Sequence, residues 1–120
     1  MSDNNTKNEH VYRLLLIRHG HTDWNKKMLF QGHSDIPLNE TGLQQAEFVG
    51  QHLADLPIKA IVASDLSRAA QTAQAIAGHH QVDISYSTNW RELNFGLFEG
   101  FTHTQIKEMY PTEWEMWTAD

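Results

Sequence analysis

Apolar residues gather first in a run and then at helical spacings. Val11–Ile17 (VYRLLLI) is almost continuously apolar and stops at Arg18-His19-Gly20. That pattern predicts a parallel strand buried on both faces. Residues 18–37 carry Gly20, Gly32 and Pro37 and predict a long loop holding a short helical turn. Thr41–Leu56 places Leu43, Ala46, Val49 or Gly50, and Leu53 on one face, with Thr41 and Gln44 as a capping box and Pro57 as the stop. Lys59–Ala63 predicts a second strand. Ser64 or Asp65 is placed to cap a helix over Leu66–Ala77, which halts at Gly78. Val82–Tyr86 predicts a third strand, and residues 87–101 a loop around Gly96 and Gly100. Thr102 or Thr104 opens a helix that ends near Pro111, and a last helix begins at Pro111 or Thr112.

The order of elements predicts an α/β fold with a mostly parallel sheet flanked by helices. Met1–His10 is polar and aperiodic and reads as a flexible tail. Residues 11–120 read as one domain, because no linker or repeat divides them.

Composition narrows the function classes. The chain has 120 residues, 40% hydrophobic, enough for one core but without an apolar run of membrane length. The polar start lacks the apolar segment of a signal peptide, and there is no cysteine, so a cytoplasmic location is expected. A net charge of −6 argues against nucleic-acid binding. An anionic ligand would need a local cluster drawn from Arg13, Arg18, Arg68 and Arg91. The eight histidines show no ligand spacing on a helix face, so no metal is expected.

Arg18-His19-Gly20-His21-Thr22 falls at the carboxyl end of the first predicted strand, where open α/β sheets bind ligands. A neutral imidazole whose first nitrogen donates to a backbone carbonyl keeps a lone pair on the second for attack. Gly20 permits the close backbone approach this requires, and the Arg18 fork suits phosphate oxygens. A histidine closing the strand end beside an arginine in a surface ion pair is the plainer alternative.

Four separated segments resemble the histidine phosphatase superfamily: RHGHTDWN at 18–25, QGHSDIPLNETGLQQA at 31–46, SDLSRAAQTA at 64–73 and RELNFGLFEG at 91–100. They occur in the family's order, over about Val11–Trp117. The resemblance implies that His19 is phosphorylated during turnover and that Arg18 and Arg68 bind the phosphoryl group. Glu92 would be the general acid and base. Asn25 would contact phosphate or substrate, Gln31 and Gly32 a substrate loop, and Thr22 the pocket wall. It implies a small phosphorylated substrate and no cofactor. Hydrolysis of phosphate monoesters, as in the α-ribazole phosphatase-like branch, is expected ahead of phosphoglycerate mutase-type transfer. Against these roles stand plain structural ones. Arg68 would be solvated or paired with Asp65, Glu92 would pair with Arg91, and residues 25, 31 and 32 would form turns.

The sequence also departs from the family. Relatives carry a second catalytic histidine in a later His-Gly pair, whereas His19-Gly20 is the one such pair here, and His103 lies in a polar setting. The sheet is therefore expected to be incomplete at its C-terminal side. A fragment of a longer enzyme, a homodimer that completes the sheet, or a non-catalytic domain that binds a phospho-ligand would each fit.

Overall fold

The computed structural model describes residues 11–119, so the Met1–His10 tail lies outside the described residues. The elements are α1 (Asp23–Lys26), α2 (Glu40–His52), β1 (Ile61–Ser64), α3 (Ser67–Ala77), β2 (Ile84–Ser87), α4 (His103–Met109) and α5 (Pro111–Thr118), with 3₁₀ turns at Thr88–Trp90 and Gly96–Phe98. β1 and β2 pair in parallel, Ile61 opposite Ile84 through Ser64 opposite Ser87, with α3 as the crossover. α2 and α3 pack against each other, with Gly50 of α2 close to the Ala75 backbone of α3. Among the described residues no helix is long and apolar enough to cross a membrane.

The buried apolar residues are Leu38, Ala46, Leu66, Ala73, Ile76, Phe98 and Ile106. A second cluster is aromatic. Phe30 meets the edges or faces of Phe95, Phe98, Trp114 and Trp117 at centroid distances of 5.0–6.2 Å. Such pairs favour tilted and edge-on contacts, and here they seat α5 against the loops that precede α4.

One expected element does not form. Val11–Ile17 has no strand assignment, and Val11 is 90% and Leu16 84% exposed. A strand buried on both faces needs a paired neighbour on each edge and cover on each face. Among the described residues β1 and β2 pair only with each other, so the run has the propensity of a strand without a ladder to join.

Two caps also differ from expectation. α2 starts one residue earlier, because Asn39 Oδ1 accepts the Gly42 N–H at 2.8 Å, and the Thr41–Gln44 box is not used. It ends at His52, before Pro57 is reached. α3 begins at Ser67, with neither Ser64 nor Asp65 as its cap. Ser64 Oγ accepts the Leu66 N–H instead, and Asp65 is occupied by Arg91. The Ser67 N–H donates to Asp35 Oδ1 at 2.6 Å, so the cap arrives from a distant loop. α4 uses the Thr102 cap, with Gln105 completing the box.

Candidate active site

The 18–22 segment is placed by α2 and α3. The Gly20 N–H donates to Thr72 Oγ1 at 3.1 Å, and Thr72 in turn donates to the Arg68 carbonyl at 2.8 Å. The His21 N–H donates to Gln45 Oε1 at 2.9 Å, and the His21 carbonyl accepts the Asn39 N–H at 3.0 Å. Contact with α2 is backbone to backbone: a Cβ on Gly20 would meet the Gly42 carbonyl, and one on Gly42 the His21 carbonyl. Both positions require glycine for space.

His19 is partly buried, and its Nδ1 lies 2.7 Å from its neighbour's carbonyl, Gly20 O. A carbonyl can only accept, so Nδ1 carries the proton and Nε2 keeps its lone pair. Burial pushes the His19 pKa below 6.5. The Gly20 bond and Glu92 oppose that shift, while Arg68 and Arg18 reinforce it. The ring is therefore held neutral.

Arg68, the second residue of α3, is 1% exposed. Its Nη1 donates to Ser34 O and its Nη2 to Gly32 O, both at 2.6 Å. Glu92 Oε1 accepts the Gly32 N–H at 2.9 Å and lies 3.5 Å from Arg68 Nη2. Arg68 does not pair with Asp65, nor Glu92 with Arg91. Asp65 and Arg91 form a two-pronged pair with each other, at 2.7 and 2.6 Å. The Arg91 hydrogen bond holds the Asp65 carboxyl below its ordinary range.

Gly32 adopts φ +54°, and a Cβ there would strike the Glu99 carboxylate and the Phe95 nitrogen. Glu99 accepts from Ser34 Oγ and from the backbone N–H groups of His33, Phe95 and Gly96. Burial alone would raise its pKa. The four donors outweigh burial and hold the carboxyl below its ordinary value.

Thr22 is fully buried, away from the pocket wall where it was expected. It caps α1, and its hydroxyl lies 2.6 Å from Gln31 Oε1. Gln31 is likewise buried behind the surface, and Asn25 closes the capping box on the Thr22 N–H. Asn25 also reaches a cavity. A space of about 380 Å³ is lined by Arg18, His19, His21, Asn25 and Gln45. A smaller one of about 170 Å³ is lined by Arg18, His19, Gly20, Gln45, Ala46, Val49 and Thr72. The structure thus gathers Arg18, His19 and Asn25 at open space. Arg68, Glu92 and Gly32 form a tighter group that lines neither cavity, and the charges of Arg68 and Glu92 act on His19 in opposite senses.

Sequence reasoning missed Gln45, Thr72 and Asp35, and weighed Glu99 only as a rival to Glu92 for proton transfer. Thr72 had one visible signal, a lone hydroxyl on the buried face of an alanine-rich helix. The others act through tertiary contacts that no local pattern announces. Among the described residues no group of three or more His, Asp or Glu side chains converges as a metal site.

The family model of the histidine phosphatase superfamily (branch 1) matches residues 14–120. The chain belongs to the histidine phosphatase superfamily. It is 42% identical over 89 residues to the Salmonella choleraesuis (strain SC-B67) protein named probable phosphoglycerate mutase GpmB, covering 74% of this chain and 41% of that one. A candidate alpha-ribazole-5'-P phosphatase from Escherichia coli K-12 superposes with a TM-score of 0.81 at 28% identity, over 87% of this chain and 52% of that chain. Phosphoserine phosphatase from Entamoeba histolytica, in complex with 3-phosphoglyceric acid, superposes with a TM-score of 0.68 at 37% identity, over 74% and 44%. The chain therefore spans about 41% of the length of the curated histidine phosphatase relatives it matches.

Proposed function

We propose that this chain carries a phosphate-monoester site of the histidine phosphatase type, with His19 as nucleophile. The supporting observation is the Nδ1 contact to Gly20 O, which leaves Nε2 basic on a ring held neutral by burial. In the proposed reaction Nε2 attacks phosphorus in line and the P–O ester bond breaks, with Glu92 giving its proton to the departing alkoxide. Water then attacks phosphohistidine, the N–P bond breaks, and Glu92 takes a proton from the water as inorganic phosphate leaves.

Arg18 and Arg68 neutralise the phosphoryl oxygens in this reading. Arg68 is 1% exposed and lines neither cavity, so its part in this reading is electrostatic, in keeping with its charge acting on His19. Asn25 lines the larger cavity beside His19, its Oδ1 held by Thr22. Gln31 and Gly32 shape the loop behind it. We assign residues 11–120 as the N-terminal part of the family's domain, in keeping with the share of its relatives that the chain spans.

Incubation of the full chain with a ³²P-labelled phosphodonor tests this reading. An acid-labile label that is absent from His19→Ala supports it. Ligand binding with neither label nor turnover would instead make the chain a phospho-ligand-binding module. Hydrolysis is favoured over transfer by the likeness of RELNFGLFEG to phosphatases, while the relatives above include both a phosphatase and a probable mutase. Product analysis with 3-phosphoglycerate decides between them, because isomerisation without free phosphate would overturn the hydrolase assignment.

A further inference from the structure

Gln45 lies on α2 and lines both cavities beside His19. Its Oε1 accepts the His21 N–H at 2.9 Å. An N–H cannot donate to an amide nitrogen, so this bond fixes which way the Gln45 amide faces. Its Nε2 hydrogens have no protein partner among the described residues, and Gln45 is an exposed residue. Nε2 is therefore not claimed by another side chain or carbonyl, on a residue that walls the cavity.

The setting is selective in charge. Arg18, His19, His21, Asn25 and Gln45 line the larger cavity, and not one carboxylate is among them, although the chain carries a net charge of −6. Every lining residue offers an N–H donor or an imidazole. Gln45 is held in place by the backbone contact between the 20–21 segment and Gly42, one helical turn earlier.

We infer that Gln45 is an oxyanion-binding residue, its Nε2 donating to a negatively charged oxygen of the ligand that the His19 site takes. This rests on the proposed phosphate site and adds to it a contact from α2. The oxygen belongs either to the phosphoryl group or to a second anionic group on the same substrate.

Calorimetric titration of the full chain with orthophosphate and with 3-phosphoglycerate tests the inference, using wild type, Gln45→Ala and Gln45→Glu. The glutamate keeps an acceptor for the His21 N–H but replaces the donor with an anionic oxygen. Both variants are expected to weaken binding by about tenfold or more, the usual consequence of losing a hydrogen bond to a charged group. The losses should persist in 1 M salt, where a pure charge effect is screened beyond about 3 Å. Loss with both ligands assigns the phosphoryl oxygen, and loss with 3-phosphoglycerate alone assigns its carboxylate. A Gln45→Ala chain that binds both ligands like wild type overturns the inference, as does a Gln45→Glu loss that vanishes in 1 M salt. In either case the His19 reading stands. A wild-type chain that takes up neither ligand overturns both.

Discussion

Glu92 and Arg68 meet at 3.5 Å, Oε1 to Nη2, while the same carboxylate oxygen accepts the Gly32 N–H across 60 residues of sequence. The arrangement follows from a choice of partners. Arg91 has Glu92 beside it in the chain and Asp65 lies three residues before Arg68, yet the close pair is Arg91 with Asp65. Each prong of the Arg91 fork finds its own carboxylate oxygen, a geometry that adjacent residues do not reach easily. Glu92 and Arg68 are thereby left to each other and to the 32–34 loop.

Arg68 is predicted to carry stability as well as charge. It is 1% exposed and supplies the side-chain donors to Gly32 O and Ser34 O. Arg68→Met removes both donors at once and should destabilise the fold by about 3–5 kcal/mol, as breaking a buried charged group's partnerships does. Urea denaturation of the two chains reads the difference directly.

Glu92→Gln should separate chemistry from structure. A glutamine oxygen can still accept the Gly32 N–H while the contact with Arg68 loses its charge, so the denaturation midpoint should fall less than in Arg68→Met. Proton transfer to the leaving group is lost, and turnover of an aryl phosphate should fall by about 10²–10⁴-fold. Equal turnover in the two chains would remove Glu92 from the reaction.

Two glycines with nearly the same backbone angle should respond differently to alanine. Gly32 has φ +54° and Gly96 φ +53°. At Gly96 nothing lies within 4 Å of an added Cβ, so only the left-handed conformation is penalised, by about 1–2 kcal/mol. At Gly32 the Cβ would also press on the Phe95 backbone nitrogen at 2.9 Å. Gly32→Ala should therefore lose clearly more stability, about 3 kcal/mol or above once overpacking is added, and thermal melts of both variants would show the gap.

The pH dependence of stability should show two separate windows. Burial, with help from Arg68 and Arg18, places the folded His19 pKa below its ordinary 6.5. The unfolded chain therefore binds the His19 proton first as pH falls. The His19 contribution is complete above pH 6.5 and is lost as pH drops from there through the folded value. Glu99 behaves with the same sign at lower pH. Its folded pKa lies below 4.5, so its contribution is lost as pH falls from that value through the folded one. Denaturation curves collected across pH should lose the upper slope in His19→Asn and keep the lower one.

The Thr102 cap, the stop before Pro111 and both β1 and β2 were readable within two or three residues of their true limits, because periodicity, caps and breakers act over short stretches. The contact of the His19 ring with a backbone carbonyl was readable for the same reason, since it joins adjacent residues, His19 and Gly20. Local pattern could not say that Val11–Ile17 would lack a ladder, since pairing depends on segments elsewhere. Nor could it say that Asp35 would cap α3, that Gln45 would line a cavity with His19, or that Arg91 would take Asp65 and free Arg68 for Glu92. The sequence alone determined the helices, the β1 and β2 strands and the family to which the chain belongs, because caps, breakers and contiguous motifs act locally. Tertiary structure decided the partners, because hydrogen bonds and ion pairs between distant residues are chosen by how close the fold brings them.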